Sequence, residues 1–211
     1  EEIDFRAREQ RIEKLRIDAL ARIVEERGLD GIFALSEKGN AQRQIGAYLA
    51  GGILSAAQIQ DLILQCLRTP EAASGRGGIA AGALWAMKDE ARITLFAVIK
   101  DQLSSAQALR LLLLSPYRSS TWELAEQLPA EDKKAYWLEV VPQFIFDAAD
   151  ENNESVRLLL EAGRPRAAFA ALHFKLEELH PGLLVQLLSS MVKESNDKDG
   201  EYQLHDYDIQ R

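Results

Sequence analysis

The feature that most restricts this chain is its likeness to itself at a fixed distance. Moved by 47 positions, Leu109-Arg110-Leu111-Leu112-Leu113 overlays Val156-Arg157-Leu158-Leu159-Leu160. In the same register Trp122 falls on Phe169, Trp137 on Leu184, and Val140-Val141 on Leu187-Leu188. A third copy is offset by 135: Arg22-Ile23-Val24 with Glu26 and Gly28 matches Arg157-Leu158-Leu159 with Glu161 and Gly163. The run from Leu62 to Leu67 lies about where the intervening copy begins. The pattern is therefore about four copies of a unit of about 44 to 47 residues, each a buried helix, a turn of small residues, a second helix and a third short helix or linker.

Helical spacing runs through every copy. Ile12, Leu15, Ala19, Leu20 and Ile23 recur three and four residues apart inside a segment that is otherwise about half charged. Helical spacing or composition also marks 30–37, 41–50, 55–68, 78–88, 90–101, 105–114, 120–128, 131–146, 153–162, 165–178 and 182–194. Breakers separate them, among them Gly39-Asn40, Gly51-Gly52, Ser115-Pro116, Pro129, Gly163 with Pro165, and Pro181-Gly182. Strand signals are almost absent, so the expected class is all-α. A unit of this size cannot bury its apolar face alone, and copies must stack. In period and make-up the chain resembles the HEAT and armadillo repeats, which implies a right-handed α-solenoid of helical hairpins over 1–194; a compact irregular helical bundle is the structural alternative. The acidic stretch 195–211 reads as a linker or the start of a further helix. Ankyrin and tetratricopeptide repeats are set aside, because their periods and signatures are missing.

Composition narrows the partners. Acidic residues outnumber basic ones by 33 to 25 and the pI is about 5.0, so the long-range field repels phosphate backbones. A nucleic-acid partner is disfavoured; a nucleic-acid-binding helical repeat is the second reading and would need a basic face hidden in an acidic total. No stretch approaches the roughly 18 apolar residues of a membrane span. The single cysteine, Cys66, sits in an apolar run and reads as a small core residue, in keeping with a reducing cytoplasm. The opening at Glu1 without methionine suggests a fragment of a longer intracellular protein. Trp85, Trp122 and Trp137 all lie in central apolar segments, which places the core there.

No catalytic constellation, cofactor fingerprint or metal site stands clear of a structural explanation. His173, Glu177 and His180 would share a face on an uninterrupted helix, but Pro181 follows and no fourth ligand is identifiable. Asp197, Asp199, Gly200 and Asp206 fit positions of a calcium-binding loop, yet Ser195 stands where an acidic first ligand is expected. Gly75-Arg76-Gly77-Gly78 precedes a helix but lacks the ending of a phosphate loop, and reads as a turn packed against Ala80, Ala81 and Ala83. The expectation is therefore no enzyme, no cofactor and no metal, but a scaffold or protein-interaction module that binds a protein partner or a neighbouring domain of its parent chain. The candidate partner-binding residues are Arg110 and Arg157, which recur at one repeat position, Arg164 and Arg166 at a helix start, and Tyr136 beside a core position.

Overall fold

A computed structural model describes residues 5–69, 75–146, 148–172, 175–193 and 195–197. Among them are eleven α-helices and no strand. The chain divides into two compact units, Glu1–Ser115 and Pro116–Arg211.

The first unit holds α1 (Phe5–Ser36), α2 (Gln42–Tyr48), α3 (Ala56–Arg68), α4 (Arg76–Ala86), α5 (Asp89–Ile99) and α6 (Ser105–Leu114). Helix α1 is broken at Gly28, whose φ of 59° ends the charged segment where the sequence placed a stop. Its closest packing joins α2 and α4, and glycine makes it possible. A Cβ on Gly46 would lie 2.0 Å from the Ile79 carbonyl oxygen, and one on Gly82 would lie 1.9 Å from that of Arg43. Helices α3 and α6 begin alike: Ser55 with Gln58, and Ser104 with Gln107, form reciprocal capping boxes that satisfy two otherwise orphaned N–H groups at each start. Each cap follows a tight turn, a π-helical one at Leu49–Ile53 and a 3₁₀ one at Lys100–Gln102.

The core of this unit takes Leu62 and Ile63 from α3, Ile79 and Leu84 from α4, and Leu111 and Leu112 from α6. Burial pushes the Cys66 thiol up to about 12, against the opposing pull of Arg76 and Arg110. Trp85 departs from expectation. It is 44% exposed, because the α4 face packed on α2 is built of glycine and alanine, and the indole lies outside it.

The second unit holds α7 (Ser119–Ala125), α8 (Ala130–Glu139), α9 (Ala149–Glu161), α10 (Pro165–Ala171) and α11 (Pro181–Ser190). Its centre is aromatic. Tyr117 meets Trp122 at 4.9 Å edge to face, and Tyr136 meets Trp137 at 5.2 Å. The helix expected over 131–146 stops at Glu139, since Pro142 offers no N–H and disfavours helix in the residue before it. The irregular stretch that follows is fixed by Asn152, whose buried amide donates to the Ile145 carbonyl at 2.8 Å and accepts from the Ile145 N–H at 3.0 Å. Asn153 does the same for the entry to α11, accepting from the His180 N–H and donating to the Glu178 carbonyl.

Helix α9 closes in a Schellman turn. Gly163 adopts φ 74°, Arg164 N–H donates to the Leu159 carbonyl, and Gly163 N–H donates to that of Leu160. Pro165 then opens α10 at a position that needs no N–H. The helix expected over 165–178 ends at Ala171, and the 3₁₀ turn Leu176–Glu178 follows. Glu177 and His180 therefore do not share a continuous helix, and His173 lies outside the described residues.

Candidate functional site

In the second unit α7, α8 and α9 border a groove of about 710 Å³. Its floor is apolar, supplied by Trp122, Trp137, Leu138 and Leu158. Its rim carries both signs, with Lys133, Lys134 and Arg157 facing Glu123, Glu126, Glu154 and Glu161. The positions follow from local structure. Helix α9 buries Val156 and Leu159, so Arg157 and Glu161 fall on the opposite face. Helix α8 buries Tyr136 and Trp137, and Lys133 and Lys134, four and three residues before Trp137, share its face and line the groove one turn away.

The rim charges are partly committed to one another. Arg157 Nε donates to Glu154 at 2.8 Å and its guanidinium also pairs with Glu161. The Arg157 hydrogen bonds hold the Glu154 carboxyl below the ordinary carboxylate range, and Glu154 in return holds the guanidinium more firmly protonated. Lys133 pairs with Glu126 at 3.0 Å across the α7–α8 turn. Among the described residues neither Lys134 nor Glu123 forms an ion pair, so these two are the charges on this rim best placed to meet a partner.

The five candidate binding residues take different places. Arg157 lines the groove. Arg166 is exposed, and its own N–H and that of Ala167 donate to the Asp197 carboxylate at 2.9 and 3.0 Å. Asp197, considered for calcium, thus caps the start of α10, where a carboxylate meets free N–H groups and the positive helix pole. Asp199, Gly200 and Asp206 lie outside the described residues. Tyr136, expected at the surface, is fully buried: its ring packs edge to face on Trp137, and burial pushes its phenol well up.

Arg164 is buried as completely. Gly163 turns the chain inward, and the guanidinium donates at 2.9 Å to both the Trp137 and the Val140 carbonyls, at the closing end of α8. Arg110, in the first unit, is half-buried and donates at 2.6 Å to the Thr69 carbonyl at the end of α3. Arg76 meets the Thr69 hydroxyl at 2.9 Å and lies 4.0 Å above the Phe33 ring. Gly75 and Gly78 are explained by close packing, but on Gln42 of α2 rather than on alanines of their own helix: a Cβ on either would come within 2.8 Å of that side chain.

Sequence reasoning missed two signals. Leu54-Ser55-Ala56-Ala57-Gln58 and Leu103-Ser104-Ser105-Ala106-Gln107 repeat a capping box 49 residues apart, a sharper internal match than the apolar runs. Arg92 is the other. It is buried, pairs with Asp89, and donates to the Met87 carbonyl at 2.7 Å, where α4 ends. No described helix is long and apolar enough to cross a membrane. Among the described residues no group of three or more histidine, cysteine, aspartate or glutamate side chains is arranged to hold a metal ion. No family model, curated protein or solved structure matches the chain.

Proposed function

We propose that this chain is a protein-interaction module built from stacked helical hairpins of the HEAT or armadillo kind, and that the groove of its second unit receives a segment of a protein partner or of another domain of its own parent chain. The observation that carries this reading is the make-up of the groove: two indoles and two leucines in the floor, and a rim in which carboxylates outnumber cations by four to three. An apolar floor with a mixed, slightly acidic rim suits a peptide with one apolar anchor and charges on both sides of it. It does not suit a phosphate backbone, which gains affinity by releasing counterions to clustered lysine and arginine.

The repeat reading draws support from burial. Leu112 and Leu159 are both buried, as are Trp122 and Phe169; Val140 and Leu187 are buried while their neighbours Val141 and Leu188 are exposed. These pairs 47 apart agree in burial, whereas Leu111 is buried and its counterpart Leu158 opens on the groove.

The test is selection of peptides from a random library against the purified chain, with the binding surface mapped by amide chemical shifts. Peptides carrying an aromatic or aliphatic anchor are expected to perturb α7, α8 and α9, and Lys134→Glu together with Glu123→Lys is expected to change which flanking charges are selected. Binding of single-stranded RNA or duplex DNA at about 0.15 M salt, weakening steeply as salt rises, would replace this reading by a nucleic-acid-binding one.

A further inference from the structure

Residues 5–19, about four turns of α1, lie at the surface of their unit. All fifteen residues of 5–19 are exposed, although the stretch carries Phe5 at 69% exposure, Leu15 at 60% and Ile12 at 36%. Large side chains left in water along one helix ask for a partner. Phe5, Ile12 and Ala19 stand seven residues apart, with Arg8, Leu15 and Arg22 three residues after each, the spacing of a two-helix seam. Glu9 and Arg16 flank this seam on one side, Arg11 and Asp18 on the other.

The charges choose the partner. The geometry points to a second copy of this chain, paired antiparallel through α1 with Ile12 of each copy against Leu15 of the other. In that register Glu9 lies beside Arg16 of the other copy and Arg11 beside its Asp18, so all four flanking pairs of the dimer are attractive. Phe5 packs along the aliphatic stem of Arg22, and Arg8 reaches out over Ala19, a small residue opposite a long one at each place.

Sliding by one heptad one way sets Glu9 against Glu9 and Arg11 against Arg11. Sliding the other way sets Arg16 against Arg16 and Asp18 against Asp18. A parallel pair sets Arg11 against Arg16 twice. The seam also runs into an apolar groove of about 420 Å³ that Ala19 and Ile23 share with Leu35, Ile45 and Tyr48, which places the other copy's Phe5 at the groove mouth. This pairing belongs to the first unit and does not depend on the reading of the groove in the second.

Sedimentation of the whole chain from about 1 to 200 μM is expected to show a monomer–dimer equilibrium. Glu9→Lys should weaken the dimer about tenfold, because two attractive pairs become repulsive, and Arg16→Glu added to it should restore the affinity. Both substitutions are at exposed positions, so helix content by circular dichroism should be unchanged. Because Cys66 is fully buried, a spin label can be placed on one introduced cysteine at a time. Labels at Glu13→Cys are expected close to each other, and labels at Glu25→Cys about 35 Å apart, from about 1.5 Å of rise per residue. A chain that stays monomeric at 200 μM, a dimer indifferent to Glu9→Lys, a double variant that is not rescued, or short distances at both label sites would each overturn the proposal.

Discussion

Helices α6 and α9 carry the same run, an arginine followed by three leucines, and put the arginine to opposite uses. In α9 Arg157 stands on the open face, held between Glu154 three residues before it and Glu161 four residues after. In α6 the corresponding positions are Gln107, which is spent on the helix cap, and Leu114. With no carboxylate in reach on its own helix, Arg110 turns to a main-chain carbonyl 41 residues back. In the second unit that task falls to Arg164, seven residues beyond Arg157. The apolar half of the shared run is set by which side of the helix must be dry. The polar half depends on individual neighbours, and one substitution three residues away reassigns it.

The largest test of this comparison is Arg164→Ala. Two charge-assisted bonds to buried carbonyls would be lost and the carbonyls left dry, at a cost of about 3 kcal/mol or more. Urea unfolding followed by tryptophan emission resolves the unit affected, since Trp122 and Trp137 are buried in the second and the first holds the exposed Trp85. A loss under about 1 kcal/mol would mean that the clamp on α8 is dispensable. Next come Leu112→Ala and Leu159→Ala, each expected to cost about 2 to 5 kcal/mol in its own unit. A large cost at one and a negligible cost at the other would show that the offset of 47 aligns sequence without aligning structure.

Much of this was legible in advance. The all-helical class, the stops at Gly28 and Gly163, the start at Pro165 and the burial of Leu112, Leu159, Trp122 and Phe169 follow from periodicity and breakers, which act locally. Three things were not legible, and for one reason. Tyr136 and Arg164 are polar residues taken into the interior, and Trp85 is an apolar one left outside, each by a tertiary contact that spacing along the chain does not encode. The groove is of the same kind: Arg157 could be picked out as recurrent, but its company with Trp122, Trp137 and Lys134 is set by how three helices pack. Pro142 differs in kind, since it is a local breaker visible in the sequence inside a segment that otherwise reads as helix.

A smaller difference separates the two aligned arginines themselves. Arg110→Ala removes a half-buried, charge-assisted bond and is expected to cost about 1 to 2 kcal/mol. Arg157→Ala removes ion pairs whose side chains are about half exposed, which solvent and side-chain entropy reduce to about 0.5 kcal/mol or less. Raising the salt should erase the second cost and leave most of the first. Equal costs would return both residues to one structural role.

The smallest effect is also the most specific to the exposed pair. Glu154 has its carboxyl lowered in the folded chain below its ordinary value of 4.5, first by the Arg157 hydrogen bond. A lowered folded value means that the carboxylate contributes stability above the unfolded value, and that this contribution is lost as the pH falls through the folded one. Arg157 stays charged throughout. The gap in denaturation midpoint between the natural chain and Glu154→Gln should thus be small at pH 7 and close as the pH falls below the ordinary value of 4.5 and through the lowered folded one. Arg110 bonds a carbonyl, which does not titrate, so the cost of Arg110→Ala should hold steady over the same range relative to the natural chain. A pH-dependent penalty at Arg110 would reveal a carboxylate at the end of α3 that acts on this guanidinium, and the contrast between the two helices would then be one of degree.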